Sequence, residues 1–83
     1  MHLFAAFLGG PIADDRMGED HEIVFVIAGT PEEAKVQAKK KWRGAGRAHV
    51  DAVQRIDEVD GFKVSVTPAA DGQGDRTQLK SYN

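Results

Sequence analysis

Two of the three histidines, His21 and His49, lie in segments that also carry carboxylates: Glu19-Asp20-His21-Glu22 and His49-Val50-Asp51. Imidazole titrates near neutrality, so a histidine oriented by a carboxylate is suited to moving a proton at physiological pH. Two imidazoles with one or two carboxylates also form a donor set that zinc and related divalent ions accept. Each chemistry competes with an ordinary explanation, a hydrogen-bonded histidine at a strand end. On a strand His49 and Asp51 share a face, whereas His21 and Glu22 diverge, and no His-x-x-x-His spacing is present. Ser65, Ser81 and the threonines carry no signature of an activated nucleophile. The residues therefore assign no catalytic group, no metal and no cofactor. They do assign a candidate ligand-binding set: His21, Glu22, Trp42, Arg43, His49 and Asp51.

That set is meaningful only if the fold gathers it. His2 to Leu8 is a short apolar run closed by Gly9-Gly10-Pro11 and reads as a strand, while Pro11 to Asp20 reads as a polar loop. His21 to Ala28 is a second strand, rich in β-branched and aromatic residues. Both strands are apolar at both parities, which asks for cover on both faces. Thr30-Pro31-Glu32-Glu33 opens a helix. Thr30 accepts from the amide of Glu33, Glu33 reaches back to the amide of Thr30, and Pro31 needs no hydrogen bond at the first position. Lys39, Lys40, Lys41 and Arg43 suit the negative end of the helix dipole, and Gly44 suits the residue past its end, giving a helix over Pro31 to Arg43. Ala34, Ala38 and Trp42 form its narrow apolar stripe, and Val36 points away.

Val50, Ala52 and Ile56 alternate along a third strand, and Phe62, Val64 and Val66 along a fourth. Aligning these sets selects a three-residue loop ending at Gly61, which pairs Val64 with Ile56 and Phe62 with Glu58. The expected class is α+β, in the order β-β-α-β-β, with a four-stranded mixed sheet and one helix packed on one face. Residues 1–67 form a single domain, and residues 68–83 are a flexible tail. If the second and third strands run parallel on either side of the returning helix, the candidate set converges at one end.

Eighty-three residues, 41% hydrophobic and 29% charged, suit one small globular domain without room for a large enclosed cofactor. The absence of cysteine excludes disulfides and thiolate chemistry. No segment approaches the ~20 apolar residues of a membrane helix, and the N-terminus lacks the basic start of a signal peptide, so a cytoplasmic protein with no membrane role is expected. Lys35, Lys39, Lys40, Lys41, Arg43 and Arg47 cluster, yet the formal charge of the chain is −2. The dipole and solvation account for that face, so nucleic acid is not expected. Gly9-Gly10-Pro11 lacks a phosphate-binding pattern. One helix cannot cover two apolar faces, so a homodimer through the open sheet face or a sheet edge is expected.

Leu8-Gly9-Gly10, Glu19-Asp20-His21-Glu22, Trp42, His49-Val50-Asp51-Ala52 and Val59-Asp60-Gly61-Phe62, in this order, resemble a small uncharacterised bacterial family, domain of unknown function DUF1543. The likeness spans Met1 to Val66. Val53 stands where the family pattern has an aromatic, and the acidic-histidine segment also departs from that pattern. The resemblance implies one or two copies of the domain per protein and brings no catalytic residue. The expected function is a small dimeric binding or interaction module, taking a small molecule or a protein partner. The alternative is a small enzyme or metal-binding protein using His21, His49 and Asp51.

Overall fold

The structure is a computed structural model in which residues 1–11, 18–70 and 74–75 are described. Its elements are β1 (His2–Pro11), β2 (Glu19–Ala28), α1 (Pro31–Lys40), β3 (His49–Ile56), β4 (Glu58–Val59) and β5 (Phe62–Lys63). They confirm the α+β class with one helix. Among the described residues, the main sheet is three-stranded and antiparallel in the order β2-β1-β3, and β4 and β5 form a separate ribbon. The expected four-stranded mixed sheet is thus corrected. β2 and β3 do run parallel to each other, but β1 lies between them and pairs antiparallel with both.

The core lies between the sheet and α1. Phe4, Ala6 and Leu8 of β1 meet Val26 and Ala28 of β2 and Ala34 and Ala38 of α1, all at 2% exposure or less. Two alanines on the helix let its backbone approach the sheet closely, as the apolar stripe implies. Thr30 caps α1 as expected, its Oγ1 accepting from Glu33 N at 3.2 Å. The Glu33 carboxylate instead accepts from Gly29 N at 3.0 Å, one residue upstream of the expected amide. The helix also ends earlier than Arg43. Lys41 donates its amide to the Ala38 carbonyl, three residues back, which tightens the last turn and releases Trp42 from the helix. Trp42 stays half-buried against the core, its Nε1 donating to Ala45 O at 3.3 Å. Gly44 owes its presence to that indole, because a Cβ there would lie 2.1 Å from the ring.

Two strand readings change. In β3 the residues packed against the core are Val50 and Val53, not Val50 and Ala52. Leu8 pairs with Val50 and Phe7 with Ala52, so Asp51 is the extra residue of a β-bulge that shifts the parity. The hairpin after β3 uses a two-residue turn: Val59 pairs with Phe62 and Glu58 with Lys63, and Val64 N donates to Asp57 O at 2.8 Å. Asp60 and Gly61 both take positive φ, 53° and 81°, as a type I′ turn requires. The expected register, Val64 opposite Ile56 and Phe62 opposite Glu58, assumed a buried face to align. All four ribbon residues are exposed, so turn geometry decides instead.

β1 runs through Gly9-Gly10 to Pro11, longer than the apolar run alone implied. Most of the expected loop (12–17) and most of the expected tail lie outside the described residues. From the distal part, the Asp75 carboxylate accepts from Lys41 Nζ at 3.0 and 3.1 Å. No helix among the described residues is long and apolar enough to cross a membrane.

Candidate functional site

Strand pairing gathers the candidate residues at one end of the sheet. Gly9 lies opposite His21 on one side and His49 on the other, so these three form one row across β2, β1 and β3. Directly paired residues point to the same face, and Gly9 belongs to the odd-numbered face of β1, away from α1. Between two histidines stands the one residue type with no side chain. The space above it is filled from the β3 flank: a Cβ on Gly9 would lie 2.8 Å from His49 Nε2 and 3.3 Å from Asp51 Oδ2.

The bulge at Asp51 completes the group. Asp51 Oδ1 sits 3.0 Å from His49 Nε2, and Oδ2 sits 3.9 Å from His21 Nδ1. One carboxylate thus lies between two imidazoles from different strands, with all three side chains about half exposed. Carboxylate and imidazolium would attract here, but solvent screens such pairs, so their contribution to stability is of order 0–1 kcal/mol. Beside them is a shallow depression of about 470 Å³, whose apolar wall is Phe7 and Ile23 and whose polar edge is His21 and Asp51. Among the described residues, no group of three or more His, Asp or Glu side chains is arranged to hold a metal ion.

The other candidates fall on the opposite side. Glu22 pairs with Leu8 and shares its helix-facing side, so it diverges from His21 as strand alternation requires. Its Oε2 is 3.7 Å from Arg43 Nε, and its Oε1 is buried without a hydrogen-bond partner among the described residues. Trp42 covers Gly10, where a Cβ would meet the ring at 2.7 Å, and so acts as the lid of the core at this end. The six residues do share one end of the domain, but the sheet divides them: His21, His49 and Asp51 on the open face, Glu22, Trp42 and Arg43 on the helix side. The third histidine, His2, is at the far end of β1, edge-on to Phe4 with ring centroids 6.5 Å apart.

The residues that sequence reasoning passed over are Phe7 and Ile23, the apolar wall of the depression. Their signal was available: they share the parity of Gly9 and His21 and lie one pleat further along. From them the apolar surface continues along the open face. Ile23, Phe25 and Ile27 are 58%, 55% and 43% exposed in a single row on β2.

The model of a family described as Domain of Unknown Function (DUF1543) matches residues 16–66, more than half of the chain. The match takes in β2, α1, β3 and the β4–β5 ribbon, and β1 lies before it. No curated protein and no solved structure matches the chain.

Proposed function

The chain belongs to the DUF1543 family, and from that premise, which supplies no activity, we propose that it works as a small non-catalytic binding and interaction module. In this reading it assembles with a second copy and takes a small molecule or a partner's side chain at the His21–Asp51–His49 end. In this reading it operates in the cytoplasm. The observation that carries the reading is the open face, where a continuous apolar row ends in His21, Asp51 and His49, with the Asp51 carboxylate between the two imidazoles. Apolar surface flanked by a few convergent polar groups is the usual composition of a recognition site. The shallow depression suits a ligand held by part of its surface.

Fragment binding followed by amide and histidine-ring NMR shifts tests this directly, with a library of small aromatic and polar molecules as the probe. The expected result is a set of binders whose shifts cluster on Phe7, His21, Ile23, His49 and Asp51. Binders that leave these residues unmoved, or no binders at millimolar concentration, would remove the site from the proposal.

A further inference from the structure

A cleft of about 640 Å³ runs along the outer edge of β2 and shares only Glu22 and Ile23 with the depression beside His21. It straddles the strand: Ile23, Phe25 and Ile27 line it from the open face, and Val24 and Val26 from the helix side. Lys41 and Arg43, just past α1, line it too, and Gly74 and Asp75 of the distal chain lie against it. We propose that this cleft is a second binding site, for a small monocarboxylate with an apolar tail. The site is separate from the one at His21, Asp51 and His49 and does not depend on assembly with a second copy.

Lys41 defines the polar end. Its ammonium donates to the Phe25 carbonyl, so the cation is held on the strand rather than left to sample solvent. An ammonium has three hydrogens to give, and here the rest already go to a carboxylate. Asp75 Oδ1 and Oδ2 lie 3.1 and 3.0 Å from Lys41 Nζ. The chain thus shows which kind of group this lysine takes. Asp75 is nevertheless a weak occupant, because its side chain is 71% exposed and an exposed ion pair contributes little. Lys41 is only 32% exposed, so its charge stays partly desolvated whichever carboxylate it holds. A free carboxylate that also lays a tail along β2 gains the burial of apolar surface, which Asp75 lacks.

The neighbours of Phe25 fix the direction of the tail. Toward His21 the cleft ends at Glu22, whose Oε2 faces Arg43 Nε at 3.7 Å and whose Oε1 is buried without a hydrogen-bond partner among the described residues. A buried carboxylate oxygen disfavours both a second anion and an alkyl chain beside it. Toward the other end lie Ile27 and, paired with it on β1, Leu3. Two residues at ~3.3 Å each put Ile27 about 7 Å beyond Phe25, and Leu3 widens the apolar floor by one strand. That wall suits a short alkyl chain. The volume of the cleft also falls within the ~300–1,000 Å³ of small-molecule sites.

Titration with hexanoate, with hexylamine and 1-hexanol as matched controls, tests the site by amide and methyl NMR shifts. Hexanoate is expected to move the resonances of Leu3, Phe25, Ile27 and Lys41 and to bind at least tenfold more tightly than either control. Lys41→Gln is expected to weaken it at least tenfold. Asp75→Asn removes the competing carboxylate and is expected to tighten hexanoate about two- to fivefold, the release of an exposed ion pair. Asp75 is too exposed for that change to disturb the fold, and unchanged circular dichroism checks both variants. Equal binding of hexylamine, or unchanged or weaker binding to Asp75→Asn, would overturn the proposal. Shifts confined to Phe7, His21 and His49 would also overturn it, by giving the carboxylate to the other site. Failure of hexanoate to bind at tens of millimolar would do the same. In that case, Phe25 and Ile27 resonances displaced by Asp75→Asn alone would assign the cleft to the chain's own distal segment, and displaced by dilution alone, to a second copy.

Discussion

The two faces of one three-stranded sheet are built from alternate residues of the same strands, yet they end in opposite environments. On the helix side Phe4, Leu8 and Val26 are at 1%, 1% and 2% exposure, closed by Ala34 and Ala38. One residue away along β2, Ile23, Phe25 and Ile27 are about half exposed. Strand period dictates that neighbours face opposite ways, so the contrast is not one of composition. A strand apolar at both parities has been given two surfaces to bury, and among the described residues α1 covers one of them. The difference is the reason for proposing the second face as the working surface of the molecule.

Truncation on each face is the strongest way to break the contrast. Leu8→Ala removes a fully buried side chain and should cost about 2–5 kcal/mol. The loss in thermal midpoint, read by circular dichroism, should be the same at every protein concentration. Ile23→Ala removes an equivalent side chain from the open face. Its cost should be smaller and should appear mainly at high concentration, where the dimer contributes to the midpoint. Equal losses at all concentrations would mean that the two faces do not differ as described. Ala38→Leu comes next: with the alanine fully buried under the helix, the extra volume should cost about 1–3 kcal/mol. Thr30→Ala should cost about 1 kcal/mol by leaving the Glu33 amide uncapped, seen as a midpoint lower by roughly 4–8 °C. The smallest effect on stability is expected from Gly9→Ala. Its Cβ must displace the His49 ring, so the His49 ring resonances should move while the midpoint hardly changes.

Much of this was legible in the residues. Thr30-Pro31-Glu32-Glu33 marks the start of α1 because the cap is local chemistry, and Ala34 and Ala38 name its buried stripe. The convergence of His21 and His49 with Gly9 was legible on the condition that β2 and β3 run parallel and β1 and β2 form a hairpin, and both arrangements are present, with β1 between the parallel strands. What was not legible depended on competition between local and distant terms. The Asp51 bulge changes which β3 residues face inward, and only the three-residue spacing of Val50 and Val53 hints at it. For Asp60-Gly61, the preference of the dipeptide for positive φ prevailed over alignment of apolar sets, because the ribbon is exposed on both sides. The helix stopped at Lys40 rather than Arg43 because Trp42 packs over Gly44 and Gly10 from outside the helix. In each case a pattern rule assumed a buried face or a continued element that the fold did not provide.

The central claim, that the chain assembles with a second copy, is tested most directly by light scattering of the unmodified chain across a dilution series. The account predicts a species of twice 9.0 kDa at micromolar concentration and above, dissociating on dilution. A constant mass of 9.0 kDa through the whole series would contradict it.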